Sequence, residues 1–198
     1  MPRQVDHQQR REHIGDAVLH LIATRGLEAA SLRNVAAEAR VSMGAVQHYF
    51  TTKQDMIAFA LRYNYERSTR RIPKLIADAP GPLATRDALR IVLIDLLCLD
   101  GESREGARLG AAILAGAMYD EQIAETARTA YRGVFGFLAQ HLAAAGERGE
   151  LAPGTDPSRA ALYLHAVVEG LRWPTLLGVT TPEQATAILD NHLDQLLA

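Results

Sequence analysis

From Ser31 to Met56 the chain reads SLRNVAAEARVSMGAVQHYFTTKQDM, and this stretch narrows the possible folds more than any other. It has the pattern of a helix, a tight turn, a second helix and the start of a third. Ser31 can accept from the backbone N–H groups that open a helix over about 32–39. Val35, Ala36 and Ala39 then make a small, smooth face, which two helices crossing steeply over a short turn require. Ser42 can cap the next helix, over about 43–50. Val41 and Val46 point back into a three-helix core, and Phe50 seals its end. Such a helix-turn-helix places its second helix in the major groove of DNA.

The remainder supports an all-α fold. Ala, Leu, Arg and Glu dominate, Pro and Gly are sparse inside long segments, and strand-like alternation is nearly absent. A first helix is expected over about 9–24, with Ile14, Ala17, Val18, Leu21 and Ile22 on one face and Gly26 at its end. A fourth begins near Lys53 and runs to about Arg71, with Pro73 marking a break or kink. After the loop DAPGPLAT come helices over about 86–99, 103–118, 121–145, 157–177 (bent by Pro174) and 182 to the end. The 86–99 segment is apolar nearly all round, the pattern of a bundle's buried centre. Asp156 can cap the eighth helix, and Pro182 and Glu183 open the ninth. The division expected is a three-helix head over 1–52, a linking helix over about 53–72, and a helical body over 73–198, about nine helices in all.

With 198 residues, 48% of them hydrophobic, the chain can bury a genuine core. No apolar run approaches the ~18–20 residues of a membrane span. The N-terminus is polar, and Cys98 is the only cysteine. Together these suit a cytoplasmic protein with no membrane partner. Net charge is −2 but unevenly spread: residues 1–74 carry +5 and residues 75–198 carry −7. A basic head on an acidic body fits a small DNA-binding module on a part that DNA repels.

Several side chains of the head are candidates for DNA contact. Met43, Gly44, Ala45, Gln47 and His48 fall on or near the outer face of the second motif helix. Small residues there let the backbone approach DNA closely. Gln47 can bond an adenine edge, and Met43 or Ala45 can touch a thymine methyl. Tyr49, Thr52 and Lys53 sit where the next helix begins and can bind phosphate oxygens, with Ser31 and Ser42 at the helix starts. Arg33 projects toward the same surface. Arg10 and Arg11 can clamp the backbone or enter the minor groove.

Gly26-Leu27 before Ser31, then VAAEARVSMGAVQHYFTTKQDM, closely resembles the DNA-binding domain of TetR-family transcriptional regulators. The resemblance covers about the first 60 residues. Two positions depart from the family's pattern. Arg40 occupies a turn position normally held by Gly, and Gln47 stands where the family often has Tyr on a phosphate. The resemblance implies a dimeric repressor of a palindromic double-stranded operator, released by a small-molecule effector whose identity it leaves open.

By the same resemblance the body would bind ligand and dimerise. Two apolar stripes are candidates for a homodimer contact: Ala161, Leu164, Val168 and Leu171, and Ile188, Leu189, Leu193 and Leu196. Polar or aromatic groups in apolar surroundings are the ligand candidates: Asp95, Cys98, Met118, Tyr119, Tyr131, Phe135, Tyr163, His165, Glu169 and Trp173. They would suit a mostly apolar molecule with one or two polar groups, or a cation. His165 and Glu169 are too few for a metal site. With no nucleophile–base set and no Gly-rich phosphate loop, neither enzyme activity nor any metal or cofactor is expected. The rival readings are a helical adaptor that does not read DNA and a helical enzyme.

Overall fold

The structure is a computed structural model that describes residues 2–78, 81, 83–99 and 101–197. Among these residues the chain forms α1 (Pro2–Arg25), a 3-10 turn (Leu27–Ala29), α2 (Leu32–Glu38), α3 (Met43–Tyr49) and α4 (Lys53–Ala77). There follow α5 (Thr85–Leu97), α6 (Gly101–Ala117), α7 (Glu121–Glu147), α8 (Pro157–Leu176) and α9 (Pro182–Leu196). The all-α expectation holds. Part of the expected Asp78–Thr85 loop lies outside the described residues. α4 runs on past Pro73 to Ala77 instead of ending near Arg71. Proline removes one N–H, the one that would reach the Thr69 carbonyl, and a single missing bond leaves the rest of the helix intact.

The helices form two compact units, one of Met1–Thr69 and Glu105–Thr129, the other of Arg70–Arg104 and Ala130–Ala198. The first unit therefore contains more than the head drawn from sequence. Its core joins Ile14, Val18, Leu21 and Ile22 of α1 to Val35 and Ala36 of α2, Val46 of α3, and Met56 and Leu61 of α4. Leu109 and Ile123, from α6 and α7, belong to the same core. α1 lies so close to α4 that a Cβ at Gly15 would stand 3.2 Å from the Phe59 ring.

The α2–α3 turn rests on one residue. α2 ends with Val41 N–H donating to Ala36 C=O and Arg40 N–H donating to Ala37 C=O, the paired bonds of a Schellman motif. That geometry needs a left-handed residue between them, and Arg40 supplies it at φ 53°. A side chain with a Cβ is strained there by about 1 kcal/mol. Arg40→Gly is therefore expected to raise the stability of this unit by about 1 kcal/mol, read by chemical denaturation, without altering the turn.

The second unit is built round α5. Leu89, Leu93 and Leu97 are fully buried against Leu138 and Leu142 of α7, Leu164 and Val168 of α8, and Leu189 and Leu193 of α9. The all-round apolar pattern of α5 thus marks a buried centre, as expected. Asp156 caps α8 by accepting from Arg159 N–H. Thr181 and Gln184 form a capping box at α9. Ion pairs stitch the rim: Arg90 holds Asp190 bidentately, at 2.6 and 3.1 Å, and Arg86 reaches Asp194 at 2.6 Å.

At the end of α7, Arg148 and Thr85 both donate to the Glu150 carboxylate. The Arg148 bonds chiefly, and Thr85 next, hold its pKa down at about 2. A depressed carboxylate stabilises the fold above its ordinary pKa and loses that contribution as pH falls toward the folded value. Arg148→Ala should therefore lower the melting temperature at pH 7, and the gap to wild type should close progressively as pH falls from about 5 to about 2.

Candidate functional site

The outer surface of α3 is set by what its inner face must do. Val46 is fully buried and Phe50 nearly so, which fixes the helix's rotation about its axis. Met43, Gly44, Gln47 and His48 then point outward, with Ala45 and Tyr49 half-buried. Ser42 Oγ accepts from Ala45 N–H at 3.1 Å and starts α3. Ser31 Oγ accepts from Asn34 N–H at 3.2 Å and starts α2. Thr52 Oγ1 accepts from Asp55 N–H at 3.0 Å and starts α4. Three caps therefore aim three helix N-termini, each with positive dipole ends suited to phosphate.

The cations around this surface are less uniform than the sequence suggests. Arg10 and Arg33 are exposed. Lys53 Nζ pairs with Glu28 at 2.9 Å, and that glutamate's side chain is 93% exposed. An exposed pair of this kind is worth little, so a phosphate can take the ammonium from it. Arg11, expected on DNA, is drawn inward instead. Its guanidinium lies 4.4 Å from the Phe59 ring centroid and 5.6 Å from that of Phe50, and its Nε is buried without a hydrogen-bond partner. The reason is register: Arg11 precedes Ile14 by three residues and shares its inward face.

Two histidines not singled out from sequence also shape the surface. His13 Nε2 lies 2.8 Å from the carbonyl of Ala39, the last residue of the α2 cap, and so ties α1 to the turn. His7 Nδ1 lies 3.0 Å from Tyr49 Oη. The only sequence signal for either is its place on α1, since both bonds join residues far apart in the chain.

Gly44 carries its own information. A Cβ there would meet only Ser42 Oγ, at 3.9 Å, so neither packing nor backbone shape calls for glycine. Its lack of a side chain leaves the backbone at the start of α3 open to solvent. Gly44→Ala should stabilise the unit by up to about 1 kcal/mol, from helix propensity, while weakening DNA binding. A stability curve and a DNA titration on the same protein check both signs.

The second unit gathers four of the ten ligand candidates. Tyr131 and Phe135 of α7 place their rings 5.1 and 4.7 Å from that of His165 on α8, centroid to centroid. His165 is only 6% exposed, with Glu169 at 3.9 Å. Burial pulls the His165 pKa down, favouring the neutral ring, and burial first, then Glu169, pushes the Tyr131 pKa up. Arg172, absent from the sequence candidates, binds Glu169 at 2.6 Å and donates through Nε to the Leu96 carbonyl. It also lies 5.7 Å from the Trp173 ring. Asp95 is paired with Arg71, and Cys98 caps α5 at φ 57°.

The remaining candidates lie elsewhere. Met118 and Tyr119 are 78% and 94% exposed, in the first unit. Tyr163 stands on the outer face of α8, stacked on His192. The expected dimer stripes need correction. Ala161, Leu164, Val168, Leu189 and Leu193 are core residues at 0–1% exposure, and Leu171 and Leu196 pack on them. Of that set only Ile188 is exposed, while Leu162 and Tyr163 supply exposed apolar area on α8. A helical stripe marks the face that must be buried, and here the chain's own core buries it. Among the described residues no group of three or more His, Cys, Asp or Glu could hold a metal ion, and no helix is long and apolar enough to cross a membrane.

Comparison with known proteins gives concordant results. Residues 14–59 match the family model described as bacterial regulatory proteins, tetR family. Residues 85–198 match that of the BetI-type transcriptional repressor C-terminal region. The chain is 30% identical over 177 residues to the HTH-type transcriptional regulator PksA of Bacillus subtilis, covering 89% of this chain and 83% of that protein. A transcriptional regulator from Rhodococcus sp. Rha1 has a similar structure, with TM-score 0.78 and 32% identity over 94% of this chain and 95% of its own. A TetR-family regulator from Rhodococcus sp. gives TM-score 0.82 at 25% identity, over 96% and 100%.

Proposed function

The chain belongs to the TetR family of helix-turn-helix transcriptional regulators, and from that premise we propose that it is a cytoplasmic, dimeric repressor that reads a palindromic operator and leaves it on binding a small molecule. The observation that carries the reading is the outward face of α3. Val46 and Phe50 hold its inner side, and Met43, Gly44, Gln47 and His48 are left exposed. Gln47 reads a base, while Lys53, Tyr49 and the capped helix starts hold phosphates. One seven-residue helix offers few base contacts, and a twofold dimer doubles them. Exposed Leu162, Tyr163 and Ile188 on α8 and α9 are suited to that contact.

The effector site in this reading is the Tyr131–Phe135–His165 cluster. Glu169 there is already matched by Arg172, which favours a mostly apolar molecule with a hydrogen-bonding group over a cation. α4, α6 and α7 each contribute residues to both units, so they are covalent routes by which a ligand that prefers one arrangement can alter DNA affinity.

The test is selection of bound duplexes from a random pool with purified protein. A palindrome is expected. Lys53→Ala should weaken binding to all sequences alike, by about 3- to 10-fold, whereas Gln47→Ala should relax preference at one base position in each half-site. An unchanged sequence profile for Gln47→Ala removes the base-reading role. Enrichment of no sequence at all removes the repressor reading.

A further inference from the structure

We propose that His7, in the first turns of α1, is a positioning residue for DNA binding, acting through the hydroxyl of Tyr49. The inference rests on the reading of Tyr49 as a phosphate contact and adds the group that orients it. His7 Nδ1 lies 3.0 Å from Tyr49 Oη. The His7 ring stands edge-on to Tyr49 at 5.8 Å, and His48 closes the cluster at 5.0 Å from Tyr49 and 6.2 Å from His7. His7 and His48 are exposed, so the bond is not a product of core packing.

A phenol has one O–H. If Nδ1 of His7 carries no hydrogen, it takes that proton. Tyr49 then presents only lone pairs outward, and a phosphate oxygen is repelled. If Nδ1 carries hydrogen, it donates to Tyr49 Oη, and the phenolic proton is free to point at phosphate. A phosphate at Tyr49 therefore selects the Nδ1–H form, and the chain of donors runs from His7 to Tyr49 to DNA. Hydrogen bonds ending on an ionised group are the stronger ones. His7 need not touch DNA for this, and its role follows from the tautomer it is able to adopt.

The experiment measures affinity for the best duplex recovered by selection, using the full-length protein. Tyr49→Phe should weaken binding about 10- to 150-fold, the range of a lost hydrogen bond to a charged group. His7→Ala should weaken it about 3- to 10-fold with an unchanged melting temperature. It should have no further effect in a Tyr49→Phe background. His7→Asn should restore most of the loss, because the asparagine Nδ2–H occupies the place of Nδ1–H. If Tyr49→Phe changes nothing, the phosphate reading of Tyr49 falls and this proposal with it. If Tyr49→Phe weakens binding but His7→Ala does not, the role of His7 is overturned and the Tyr49 reading stands. The same follows if His7→Ala is additive with Tyr49→Phe, or if Asn fails to restore.

Discussion

A helix of seven residues does not hold its shape in water by itself, and both helices of the DNA-reading motif are that short. Everything in the first unit answers to that constraint. Val35 and Val46 are fully buried, so the helices are held by packing and not by propensity. Ser31, Ser42 and Thr52 satisfy their opening N–H groups. The Schellman bonds at Arg40 and the His13 contact to Ala39 satisfy carbonyls where α2 ends. With both ends and one face of each helix committed, the free face of α3 has a defined orientation. A reading surface must have one, because base contacts discriminate only when the side chains arrive in register.

The second unit solves a different problem, that of acidic residues close to an apolar core. Asp95 faces Arg71, Glu169 faces Arg172, and Asp190 faces Arg90. The acids beside the apolar core are therefore met by arginines, and the net −7 of residues 75–198 resides on other acidic side chains. His165 stands apart from this pairing. It is nine-tenths buried between two aromatic rings, and its depressed pKa favours a neutral ring with one donor and one acceptor. Such a group can report a ligand's hydrogen-bonding pattern while contributing no charge.

Much of this was legible in the chain. The caps at Ser31, Ser42 and Asp156, the inward Val46 and Phe50 and the buried α5 all follow from local rules, while the unusual turn position of Arg40 comes from the family resemblance. Each of those rules couples residues at most a few positions apart. The errors have the opposite character. The α8 and α9 stripes suggest a dimer contact from sequence because periodicity shows that a face is apolar but not what covers it. Arg11 looks available to DNA from sequence because a charge near a motif carries no sign of the two distant aromatic rings, Phe50 and Phe59, that it meets. The Glu28 partner of Lys53 and the Arg172 partner of Glu169 are hidden from the sequence for the same reason, and neither pairing removes its residue from the proposed sites.

The sequence by itself determined the helical architecture, the motif with its caps and turn, and the family, since all three are written in local spacing and residue type. Only the tertiary structure decided which cations are free to meet DNA, which apolar side chains remain exposed on α8 and α9, and that α6 and α7 contribute Leu109 and Ile123 to the core of the first unit. It also decided that His7 meets Tyr49. These are pairings across 25 to 42 residues where a side-chain bond is involved. No periodicity encodes them, because each exists only once packing has brought two separate helices together.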